Sequence, residues 1–104
     1  MVSDPTIVIF RVWRRGLVGQ NVIALFPLEP GDSQGLYCLC YEHVGQHGAA
    51  DYQYILSVTD AATPAEYADL LAELQSIGYD LAVRQRAPSG AAARRLDLAR
   101  AFKS

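Results

Sequence analysis

Apolar and polar positions alternate with a period of two through most of the chain before Thr63, then recur every three or four residues. The first half therefore reads as strands, and the segment after Thr63 as an amphipathic helix. Residues 6–14, TIVIFRVWR, are rich in β-branched and aromatic side chains and predict a strand. Ile7, Ile9 and Trp13 share one face of it with Arg11, and Val8, Phe10 and Val12 share the other. Two apolar faces imply a strand covered on both sides, or one whose edge is covered. Residues 15–20 form a turn with Gly16 and Gly19, and residues 21–26 return as a second strand, stopped by Pro27 because proline cannot donate to a ladder. Residues 28–35 are a loop. A third strand is expected over 36–44 and a fourth over 52–59, the latter with Tyr52, Tyr54, Leu56 and Val58 inward.

Thr63-Pro64-Ala65-Glu66 is a capping box with proline at the first helical position. It opens a helix whose apolar stripe is Tyr67, Leu70, Leu71, Leu74 and Ile77, with Gly78 placed to end it. Residues 79–86 predict a fifth strand, Ala87-Pro88-Ser89-Gly90 a break, and residues 91–102 a second helix with a thin stripe of Ala92, Leu96, Ala99 and Phe102. The order ββββαβα reads as an α+β fold with a mainly antiparallel sheet of about five strands. The capped helix covers one face, and the C-terminal helix or a second subunit covers the other. One domain is expected: residues 1–87 as the core and 88–104 as a basic helix that is either part of it or a loosely docked tail.

Charge is segregated along the chain. Residues 16–80 hold no Lys or Arg, whereas the C-terminal segment carries Arg84, Arg86, Arg94, Arg95, Arg100 and Lys103 against Asp97. The net charge of −2 thus conceals a basic end. Arg84, Arg86, Arg94, Arg95 and Arg100 are the candidate surface for an anionic partner. Nucleic acid is not expected, because the pI is about 5.5 and no recognition motif is present. No apolar run reaches the roughly 20 residues of a membrane helix, so no membrane role is expected. Cys38 and Cys40 lie two apart on one strand, poorly placed to bridge, and are read as reduced. With no basic leader at the N-terminus, the simplest location is the cytoplasm. Six tyrosines and one tryptophan exceed the needs of so small a core and make a homodimer an expectation.

The chemistry-bearing residues gather in the glycine-rich corner His43, Gly45, Gln46, His47, Gly48 and Asp51. Cys38, Cys40, His43 and His47 are zinc-type ligands, but the spacing C-x-C-x2-H-x3-H is no standard zinc pattern, and no metal is predicted. No phosphate-loop or dinucleotide fingerprint is present, and no cofactor is predicted. The leading reading is a binding or interaction module in which His43, Gln46, His47, Asp51 and Tyr52 recognise a small polar ligand or a protein partner. The alternative is a hydrolase-like enzyme with His43 or His47 as general base and Asp51 as orienting carboxylate.

The stretch YEHVGQHGAADY, residues 41–52, resembles the signature of a family of small uncharacterised bacterial proteins. Residues 22–27 (VIALFP), 63–69 (TPAEYAD) and 77–80 (IGYD) extend the resemblance over residues 22–80. It implies a bacterial protein of unknown function and transfers no functional residue. The two cysteines lie outside the twelve-residue signature.

Overall fold

A strand that is apolar on both faces needs cover above and below, and the fold is built on meeting that need for the first strand. The computed structural model describes residues 5–13, 21–42 and 46–103. The predicted turn at 15–20 lies outside the described residues. Strand β1 (Thr6–Trp13) pairs antiparallel with β2 (Asn21–Pro30), β2 with β3 (Cys38–Glu42), and β3 with β4 (Gln46–Ala50). The other edge of β1 is shared. Its second half pairs antiparallel with the two-residue β5 (Asp60–Ala61), and its first half pairs parallel with β6 (Leu81–Val83). The protein is an α+β fold with a mainly antiparallel six-stranded sheet.

Helix α2 (Pro64–Ser76) covers one face. Val8, Phe10, Val12, Ala24 and Phe26 meet Leu70 and Leu74 there, and Phe10 stacks on Tyr67 at 4.4 Å. Both bonds of the predicted capping box are made, and Gly78 takes a φ of 111° just beyond the helix. Ile77, expected in the buried stripe, is instead the exposed C-cap.

The opposite face corrects the sequence reading. Residues 52–59 are not a strand: Tyr52–Val58 form helix α1. Tyr52, Ile55, Leu56 and Thr59 turn inward at i, i+3, i+4 and i+7, whereas Tyr54 and Val58 are exposed. Two partners impose the helix. Asp51 caps its start, accepting from the Tyr54 N–H at 3.2 Å. The Arg11 guanidinium closes its end, donating to the Leu56 carbonyl (3.1 Å), the Thr59 carbonyl (2.6 Å) and the Thr59 hydroxyl (2.9 Å). Tyr52 and Ile55 pack on Ile9, Ile23, Leu25, Cys38 and Cys40. Helix α3 (Ala91–Lys103) packs along β2 beside α1, so the face that a second subunit could have covered is occupied by the chain itself.

Other boundaries move for local reasons. Pro27 does not stop β2. It sits fully buried in a register shift between Phe26 and Pro30, where a residue without an N–H costs the ladder nothing. The third strand begins at Cys38 rather than 36, because residues 31–37 fold into a tight loop in which the Tyr37 N–H donates to Asp32 Oδ1 at 3.0 Å. Within that loop Gly35, at φ 76°, lets the chain press on α3: a Cβ there would lie 2.6 Å from the Arg95 carbonyl oxygen. The glycine-rich corner includes a strand, β4. The fifth predicted strand shortens to β6. Among the described residues the buried positions of α3 are Ala91, Arg95 and Ala99: Ala99 is where the stripe predicted it, whereas Ala91 and Arg95 take the places expected for Ala92 and Leu96, which centres the stripe on an arginine.

Candidate functional site

Pairing of β4 with β3 decides where the corner residues go. His47 lies opposite Tyr41 and turns toward the α2 face. Its Nε2 meets the Tyr79 hydroxyl at 2.8 Å, and its ring stands edge-on to Tyr41 at 4.8 Å. The Tyr41 hydroxyl donates to Glu73 of α2 at 2.5 Å, and this bond to a carboxylate, with burial, pushes its pKa up. Tyr79 stacks on Phe26 at 5.1 Å, and burial followed by the nearby Glu29 charge raises its pKa. This cluster ties β3 and β4 to α2 and to the segment leading into β6.

Asp51 goes elsewhere. It follows Ala50, which faces the α1 side, and its carboxylate caps α1. His47 and Asp51 therefore belong to opposite sides of the sheet and form no base–carboxylate pair. His43 lies outside the described residues, as does the side chain of Gln46. Tyr52, the first residue of α1, is buried against the sheet, and its hydroxyl accepts the Ala87 N–H at 2.9 Å.

Asp51 and Tyr52 border a groove of about 690 Å³ between α1 and α3. Leu36 and Leu56 contribute apolar wall, Arg86 and Arg95 contribute charge, and Ala91 opens α3 beside them. Arg95 is the unusual member. It is 7% exposed, its Nη1 donates to the Pro27 carbonyl at 2.8 Å, and its Nε is buried with no partner. A buried guanidinium with an unmet donor is costly, because its lost hydration is only partly replaced. The candidate anion surface thus divides: Arg84, Arg86, Arg94 and Arg100 are exposed, and Arg95 turns into the protein.

The thiols are inert in character. Burial pushes the pKa of Cys38 to about 11 despite the Arg95 charge nearby, and burial followed by the charge of Glu42 raises that of Cys40. Both are free. They face α1, whereas His47 faces α2, so these potential zinc ligands do not converge. Among the described residues no group of three His, Cys, Asp or Glu is placed to hold a metal ion, and no helix is long and apolar enough to cross a membrane.

The chain matches no known protein family, no curated protein and no solved structure. Sequence reasoning singled out Asp51 and Tyr52 for one candidate site and Arg86 and Arg95 for another, and missed both that these four line one groove and the apolar residues, such as Leu36 and Leu56, that complete it. One signal for Arg95 was present: it sits four residues from both Ala91 and Ala99, in the middle of a stripe that a helix docks with.

Proposed function

We propose that the protein is a small binding module whose ligand sits in the groove between α1 and α3. The observation that carries this reading is the groove itself, which joins Asp51 and Tyr52 of the predicted corner to apolar walls and to a buried cation with an unmet donor. Concave sites of this size with a few polar groups on apolar walls are where small molecules bind. The test is a titration of the ¹⁵N-labelled chain with small neutral, cationic and anionic fragments. Saturable shifts clustered on Leu36, Gln53, Leu56 and Ala92 support the reading. Shifts scattered over the surface, or gathered around His47 and Tyr79, overturn it.

A second reading, self-association, has one observation in its favour. Among the described residues β4 is an edge strand, and its residues His47, Gly48 and Ala49 are exposed, so its outer edge is a template for a second copy. Size-exclusion chromatography with light scattering tests it. A dimer that a proline at Ala49 converts to a folded monomer supports this reading, and a monomer at high concentration removes it.

A further inference from the structure

The groove contains more positive than negative potential, and it is not distributed like a solvated surface. Two guanidiniums, of Arg86 and Arg95, line it against the single carboxylate of Asp51. Asp51 is partly engaged, since its Oδ1 already accepts from the Tyr54 N–H. Among the described residues no carboxylate pairs with Arg95, whose one bond is to a carbonyl. The first turn of α3 adds to this potential. It carries no acidic residue, and Gly90 before it has no side chain with which to cap it. A protein that needed Arg95 only to hold β2 could use a neutral donor for one bond to Pro27. A buried cation with an unmet Nε beside an open groove is a half-built anion site.

We infer that the groove takes a small organic monocarboxylate, its oxygens on the guanidiniums of Arg95 and Arg86 and its apolar body against Leu36 and Leu56. This deepens the binding reading above and rests on it. A carboxylate matches the planar fork of an arginine with two parallel bonds. The Asp51 carboxylate at the rim disfavours a dianion such as phosphate, and the apolar walls favour a ligand with a ring or methylenes rather than a bare ion.

The full-length ¹⁵N-labelled chain is titrated at constant ionic strength with three probes: benzoate, its neutral analogue benzamide, and inorganic phosphate. The amide spectrum and the arginine Nε–Hε spectrum are followed together. Benzoate is expected to move the Arg95 Nε–Hε signal saturably, together with the amides of Leu36 and Ala92, and to bind at least about tenfold more tightly than either other probe, the factor set by one charge-assisted bond. Arg86→Gln, an exposed position, should weaken benzoate by about threefold or more without unfolding the protein. Arg95→Lys, which keeps the charge but not the fork, should lose most of the binding. If Arg95→Lys does not fold, the Arg86 variant decides. Equal affinity for benzoate and benzamide leaves the binding module standing and overturns the carboxylate. Phosphate binding as tightly as benzoate shows a response to charge alone and also overturns it. No movement of groove signals with any probe removes both readings.

Discussion

Replacing Arg11 by methionine should release α1 from the sheet while leaving the sheet folded. The helix has seven residues, too few to hold itself in water. It is retained by the Asp51 cap, by burial of Tyr52 and Ile55, and by three bonds from one guanidinium to its last turn. A hydrogen bond from a charged donor contributes roughly 1.5–3 kcal/mol net. These three share one half-buried group, so their sum is discounted to about 3 kcal/mol. Methionine keeps the apolar stem, which limits any packing loss. At roughly 4–8 °C per kcal/mol for a domain of about this length, the midpoint should fall by roughly 12–24 °C. Urea unfolding gives the global loss, and amide hydrogen exchange locates it. Protection over residues 54–58 should collapse well beyond the global change, and β2 and β3 amides should follow the global change only. Arg11→Lys should recover less than half, since an ammonium cannot span two carbonyls and a hydroxyl with one fork. A loss below about 0.5 kcal/mol with α1 protection unchanged would refute the claim that Arg11 holds this helix, since that is the scatter of an ordinary surface substitution.

Three further outcomes are expected. The pKa of Cys38 is higher folded than its ordinary value of 9.0, so the folded state binds the proton more tightly, and this contribution to stability is full below pH 9 and lost as pH rises toward about 11. Denaturant midpoints of wild type and Cys38→Ala, compared from pH 8 to 11, should show a steeper alkaline loss for wild type, of order 2 kcal/mol. Gly35→Ala and Gly90→Ala both place a side chain at positive φ, but the first drives its Cβ to 2.6 Å from the Arg95 carbonyl oxygen and the second meets nothing within 4 Å. The Gly90 variant should lose about 1 kcal/mol and the Gly35 variant clearly more by urea titration, with the α3 amides exposed first. Thr63→Ala removes one bond of a complete capping box and should cost about 1 kcal/mol, read as lower protection in the first turn of α2.

Helix α2 was legible because its signals are local: the cap, the proline, the stripe and the closing glycine lie within sixteen residues of one another, from 63 to 78. The β1–β2 pair was legible because its residues satisfy only one period. Residues 52–59 satisfy two. Tyr52, Tyr54, Leu56 and Val58 make a strand face, and Tyr52, Ile55, Leu56 and Thr59 make a helix face. What decides between them is the Asp51 cap together with Arg11, some 45 residues from Leu56 along the chain, whose donors no local pattern reveals. Pro27 was read as a stop because nothing in the sequence announces the register shift that accommodates it. The candidate site divides the same way. Asp51 and Tyr52 stood out as polar residues near glycines, but one arginine among several in an alanine-rich basic helix looks solvated. Its burial follows from how α3 docks along β2, with the guanidinium on the Pro27 carbonyl and the 31–37 loop pressed on the helix at Gly35, contacts that no local pattern reveals.

The divided edge of β1 has a consequence for synthesis. One strand, made early, is finished on that edge by two short pieces made much later: residues 60–61 on one half and 81–83 on the other. At roughly 5–20 residues per second, some seconds separate the appearance of Trp13 from that of Val83. During that interval β1 can pair with β2 but cannot close its outer side, and Val8, Phe10 and Val12 lack the α2 surface that later buries them. The growing chain therefore carries an open sheet edge and an uncovered apolar face until α2 and β6 emerge. Its exposure to wrong pairing is greatest before it is complete, and a ribosome-associated chaperone would find its longest window on this segment.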